Sequence, residues 1–266
     1  MDTELLEEKF RRMGARVKVH AGAVQRVAID IGHDRRGEFF DVTVAPKVAV
    51  DAIDVRPRQQ HLLLAAYDED RLGLPIGKGQ RFLCGHDERA WFVAAVPEGR
   101  PASNVPMAMD ALKPWLVQRA EARAELPFHK RHRRHNAAWI RQGEWFFIPV
   151  PRGAWINTTN VIRNEPLRRG NGKPHLAEFC IREGGEVVYV NQKTGQALSL
   201  NTYNTMLRQR PEIAGTFLQQ RRNMSVLVRG RISHADHKTI VLNGWHQVVM
   251  NTETQSLAMR FVSFID

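Results

Sequence analysis

The sequence predicts an α+β fold built mostly of antiparallel β-hairpins with a few short helices, arranged as two β-rich halves. Three observations carry that expectation. Segments rich in β-branched and aromatic residues, with partial alternation, recur along the chain between turns of Gly, Asp and Asn. Helical periodicity is confined to a few short stretches. No strand–helix–strand alternation of the kind that builds a doubly wound parallel sheet runs through the chain.

Residues 3–13 place Leu5, Leu6, Phe10 and Met13 near helical spacing, and Gly14 suits the left-handed cap that ends a helix. Strands are expected over 26–31, 38–44, 54–67, 81–84 and 91–96. Two of the turns echo each other: Gly32-His33-Asp34 precedes Phe39, and Gly85-His86-Asp87 precedes Trp91. Both read as hairpin tips with a charged turn and an aromatic returning strand. Residues 97–106, polar and proline-rich, form the linker between a first half (1–96) and a second (107–266). A helix kinked at Pro114 is expected over 107–126, stopped by Pro127. Gln142-Gly143 turns or bulges the aromatic segment after it, and 151–174 is irregular. A hairpin is expected around Gly184-Gly185, a helix broken at Pro211 over 202–222, and strands over 225–232, 239–250 and 257–265.

Composition narrows the function classes. No apolar run approaches the ~20 residues of a membrane span, so no membrane partner is expected. The first residues are acidic and helix-prone, unlike a secretory or transit leader. Cys84 and Cys180 lie far apart in apolar segments and read as buried free thiols, so a cytoplasmic location is expected. The formal charge is +11, and residues 118–170 carry eleven Lys/Arg against four Asp/Glu. Within that stretch, His129 to His135 hold Lys130, Arg131, Arg133 and Arg134 among three imidazoles. Unpaired guanidinium groups do not enter a core, so this run faces water or a polyanion.

The charge pattern points to a nucleic-acid-binding protein that prefers RNA or single-stranded nucleic acid. Lys130, Arg131, Arg133, Arg134 and Arg141 would meet phosphates, Trp139 or Trp145 would stack on bases, and Arg168, Arg169 and Lys173 would add contacts. No helix-turn-helix or finger spacing is present. A competing reading is a phosphodiesterase or other hydrolase with catalytic His234, Asp236 and His237 in one turn. A divalent metal belongs to that reading alone, and its ligand set is left open by the sequence. His246 lies about eight residues along the next strand, roughly 25 Å away if extended, and His175 with Glu178 sits on another hairpin. The third reading is a structural subunit of a ribonucleoprotein or defence assembly. Cys84 lies two residues from His86, a spacing that would suit a thiolate–imidazole pair, but after Phe82 and Leu83 it reads as a small buried hydrophobe.

Overall fold

The computed structural model describes residues 3–72, 74–169 and 172–253. Helix α1 (Thr3–Met13) buries Leu6, Phe10 and Met13 and ends at Gly14, whose φ of 92° is the left-handed cap conformation. Strands β1 (Val17–Ala21), β2 (Val27–Asp34) and β3 (Gly37–Val44) form a three-stranded sheet in the order β1-β3-β2. The β2–β3 pair is an antiparallel hairpin, while β1 runs parallel to β3. Strands β4 (Val48–Arg56), β5 (His61–Glu69), β6 (Pro75–Asp87) and β7 (Ala90–Val96) make an antiparallel meander. The helix and the two sheets enclose one core around Phe10, Phe40 and Phe82, and burying each ring contributes about 1.5–3 kcal/mol.

The chain then passes to the outer face of the meander. Helix α2 (Val105–Ala111) is capped by Asn104, whose side chain accepts the Met107 N–H at 3.0 Å. Ala102, Val105 and Ala108 pack on Leu63 and Leu83, so the 97–106 segment is folded onto the sheet. Helix α3 (Trp115–Arg123) begins after Pro114, which separates it from α2. Beneath α3 lies an almost fully buried ion pair between Lys113 and Glu121 at 2.7 Å. Trp139 lies over the Lys113 ammonium and donates its indole N–H to Glu121 at 3.1 Å.

Next come β8 (Ile140–Gln142), β9 (Trp145–Pro149), β10 (Ile162–Leu167) and β11 (His175–Glu183). A small unit is inserted after them: β12 (Glu186–Asn191), β13 (Ala197–Ser199), α4 (Leu200–Gln209) and β14 (Phe217–Arg222). Strands β15 (Ser225–Ser233) and β16 (Ile240–Met250) return to the main sheet. Its six strands run in the order β10-β11-β15-β16-β9-β8, every pair antiparallel.

Three expectations are corrected. The 54–67 strand is two strands, because Pro57 starts a single 3-10 turn that ends at Gln60 in the left-handed region. The 202–222 helix stops at Gln209; beyond Pro211 and Gly215 the chain becomes β14 and pairs with β12. Gly184-Gly185 does not close a hairpin between β11 and β12. Glu183 pairs with Ser225 and Glu186 pairs with Arg222, so the diglycine leads into a separate sheet inserted between β11 and β15. A Cβ on Gly185 would come within 2.6 Å of the Arg222 carbonyl, which is why glycine stands at that pinched base. The strand expected over 257–265 lies outside the described residues.

Glu121→Ala removes one of the two carboxylates that meet the buried Lys113 ammonium, leaving Asp110, and deprives the Trp139 N–H of its acceptor. It is expected to destabilise the fold by about 3–5 kcal/mol, measured by urea denaturation; a loss below about 1 kcal/mol would contradict this account.

Candidate metal centre in a cationic cleft

The register of the central sheet creates the site. Leu176 pairs with Ser233, so His175, at the start of β11, lies beside His234, just past the end of β15. His237 stands in the loop that leads to β16. The three imidazoles are stacked: ring centroids are 4.2 Å apart for His175 and His234, 4.7 Å for His234 and His237, and 5.3 Å for His175 and His237. One donor nitrogen from each lies within 4.8 Å of the others.

His175 is 1% exposed, and among the described residues neither of its ring nitrogens has a hydrogen-bond partner. A buried N–H without a partner costs about 1–3 kcal/mol. Burial, and after it the neighbouring His234 and His237, pushes the His175 pKa down to about 3. The ring is therefore neutral at physiological pH, the form a cation needs.

Gly143 provides the open space. It occupies the turn between β8 and β9 at a φ of 57°. A Cβ built on it would meet His237 Nε2 at 2.8 Å and His175 Nε2 at 3.4 Å. Two imidazole nitrogens thus converge on a volume that any side chain would fill. Tetrahedral zinc with bonds of about 2.0–2.1 Å sets its donors about 3.4 Å apart, so to hold an ion the three nitrogens would draw closer than their present span of up to 4.8 Å and the stacked rings would turn their edges toward it.

Neighbouring groups hold the loop. The Gln142 side-chain amide donates to the Lys238 carbonyl at 2.7 Å. Glu88, in the β6–β7 turn, accepts the Lys238 N–H at 2.6 Å and pairs with Arg134 at 3.0 Å. His234 Nε2 lies 3.2 Å from the Lys173 carbonyl, an orienting contact of the kind metal-bound histidines make through their second nitrogen. His234 Nδ1 accepts the Asp236 N–H at 3.2 Å, a contact it would give up on binding an ion.

His234 and His237 open onto a cleft of about 350 Å³. Trp91, Phe92 and Met109 line its apolar wall, while Arg89, Arg141, Arg169 and Lys173 supply positive charge. Glu144, next to Gly143 in the turn, and Asp236 also line it.

The other residues singled out by the sequence are dispersed around this centre. Asp236 spends its carboxylate on Lys173 at 2.8 Å. His246 lies inside the sheet, buried and apart from the cluster, with Nδ1 2.9 Å from the Gly244 carbonyl; the third imidazole comes from His175. Trp139 is 2% exposed, so it offers no face to a base and its expected stacking role is withdrawn. Trp145 is half-buried, with its ring edge-on to His175. Arg134 and Arg141 both meet Asp87, and Arg169 pairs with Glu253. Arg131 is half-buried and donates to the Leu126 carbonyl at 2.9 Å. Lys130, Arg133 and Arg168 are exposed. Of the two echoing tips, the second reaches the cleft; Asp34 of the first is held by Arg16 and Lys18.

Unfolded His175 takes up its proton near pH 6.5, whereas the folded ring does so only near pH 3. Between those values the unfolded chain binds more protons. Stability therefore falls as pH drops below about 6.5, by about 1.4 kcal/mol per unit from this group. Denaturation midpoints of the metal-free protein at stepped pH should show this slope and His175→Gln should lose it; equal slopes would refute the assignment. Gly143→Ala is expected to cost about 1 kcal/mol or more in thermal unfolding, because alanine at positive φ is strained and its methyl meets His237.

No protein-family model matches the chain, and neither a search of curated proteins nor one of solved structures found a match, so the site is read from its own geometry.

Proposed function

We propose that the chain is a hydrolase that holds one divalent cation with His175, His234 and His237 and cleaves phosphodiester bonds, with RNA or single-stranded nucleic acid as substrate. The observation that carries this reading is the buried, unpartnered His175 aimed with His237 at the space beside Gly143. Three imidazoles suit zinc or a similar borderline cation better than magnesium or calcium, which prefer oxygen donors. Held by these three imidazoles, such a cation would leave a position for water, lower that water's pKa toward neutrality and polarise a phosphoryl oxygen.

The remaining roles fall to the chain's own residues. Arg89, Arg141 and Lys173 line the cleft and offset phosphate charge. The carboxylate partners of Arg141 and Lys173 keep those side chains positioned before substrate arrives. Glu144 is assigned as the acceptor of the attacking water's proton. The water oxygen bonds to phosphorus, the ester P–O bond breaks, and the leaving oxygen takes up a proton from solvent. The apolar wall of Trp91, Phe92 and Met109 limits water around the reacting group and strengthens these interactions.

Non-catalytic nucleic-acid binding is a second reading, favoured by exposed Lys130 and Arg133, but it gives the histidine cluster no task.

Elemental analysis after purification without chelator is expected to find about one zinc-class ion per chain. Chelation, His175→Ala and His237→Ala should each reduce hydrolysis of an activated aryl phosphodiester by more than about 100-fold. Zinc at a hundred times its dissociation constant should stabilise the protein by about 2.7 kcal/mol. A metal-free preparation whose hydrolysis survives both substitutions would overturn the proposal.

A further inference from the structure

Two large aromatic rings stand out of the surface next to the basic run. Trp115 is 60% exposed at the start of α3, and Phe128 is 61% exposed just before His129. Leaving such rings in water forgoes much of the free energy of burying them. Each has a polar neighbour in place: the Arg119 guanidinium lies 5.7 Å from the Trp115 ring, and His132 meets Phe128 edge-on at 5.7 Å.

One carboxylate ties the two segments together. Asp110 Oδ1 lies 2.7 Å from Lys113 Nζ and 3.0 Å from His132 Nε2. Lys113 stands two residues before Trp115, and His132 touches Phe128. Beneath them Leu126 folds back onto Val117 in a common apolar cluster. A second hollow of about 350 Å³ lies alongside, lined by Lys130, Arg133 and His135. Among the described residues, neither Lys130 nor Arg133 has a carboxylate in ion-pair range, unlike Arg134 beside them. Arg134, between Arg133 and His135 of the hollow, links it to the metal centre's cleft. Arg134 contacts Asp87, which lines the cleft, and the Arg134 carbonyl accepts the Arg141 N–H at 2.7 Å.

We propose that Trp115, Arg119, Phe128, Lys130 and Arg133 form a landing surface for single-stranded nucleic acid that leads the strand into the cleft. Phosphates meet Lys130, Arg133 and Arg119, while Trp115 and Phe128 stack on unpaired bases. A duplex, whose bases are already stacked, gains only the phosphate contacts. The surface thereby gives the hydrolase proposed above a separate binding site for its single-stranded substrate, and the inference rests on that reading only for the cleavage step, not for binding.

Binding is measured with His175→Ala protein in chelator, so that no cleavage intervenes. The probes are a fluorescent oligouridine, a duplex of the same length and polyglutamate. The single strand should bind tightest. With three phosphates neutralised, the slope of log affinity against log salt should be about −2, and Lys130→Glu with Arg133→Glu should flatten it. Trp115→Ala and Phe128→Ala should each weaken single-strand binding between about 5- and 150-fold, and in otherwise wild-type protein leave aryl phosphodiester hydrolysis unchanged. Unchanged affinity in the ring variants, tighter binding of duplex, or equal binding of polyglutamate (the behaviour of a site for acidic proteins) would each overturn the proposal. If strands bind as described while the zinc-loaded wild type cleaves nothing, the hydrolase reading alone falls. If the small phosphodiester is cleaved but no strand binds, the landing surface alone falls.

Discussion

The pairing of β11 with β15 is the constraint on which the site depends. Side chains alternate faces along a strand, so a slip of one residue would send His175 to the opposite face. The observed register, Leu176 with Ser233, sets His175 beside His234 before any side chain has chosen a rotamer. The inserted unit between the two strands does not disturb it, because that unit hangs from the far end of the pair, where Glu183 meets Ser225. The chain can therefore carry a second small sheet at one end of β11 and a histidine cluster at the other.

Once the register is set, the surroundings make the cluster a costly arrangement. Burial holds the His175 ring neutral, yet provides neither of its nitrogens with a partner. A structure that only needed to fill space there would do better with a phenylalanine. The loop carrying His234 and His237 is braced from two directions, by Gln142 on the β8–β9 turn and by Glu88 on the β6–β7 turn. That bracing fixes the imidazole positions in advance, which is what the proposed metal site would need from its scaffold.

The positive charge is divided into two populations. Arg134, Arg141, Arg169 and Lys173 each have a carboxylate within reach and belong to the architecture of the cleft and its rim. Of these only Lys173 is exposed, where an ion pair contributes about 0–1 kcal/mol; the three half-buried arginines are held in place by their partners. Lys130 and Arg133 stand outside that network and are exposed, as are the Trp115 and Phe128 rings. The basic run read from the sequence as one landing strip is thus split between a structural arm and a solvent-facing arm.

The sequence alone was enough for elements whose signals are local. Helix α1 is legible in Leu6, Phe10, Met13 and Gly14; the tips at Asp34 and Asp87, the Gln142-Gly143 turn, and the loop between β15 and β16 are legible in turn residues between strands. His234 and His237 were visible as a pair for the same reason. Only the tertiary structure brought in His175 and set aside His246, because their separation depends on which strands pair and in which register. It also buried Trp139 against Glu121 while leaving Trp115 and Phe128 exposed. The hint for those two was present, an aromatic after Pro114 with Arg119 four residues on and another directly before the basic run, but exposure is a property of packing. Residues 202–222 and Gly184-Gly185 were misread on the same ground: β14 has little strand character of its own and exists because β12 accepts its hydrogen bonds. Local steric preferences are written in neighbouring residues, whereas pairing partners, burial and the convergence of imidazoles come from chain segments that meet only after folding.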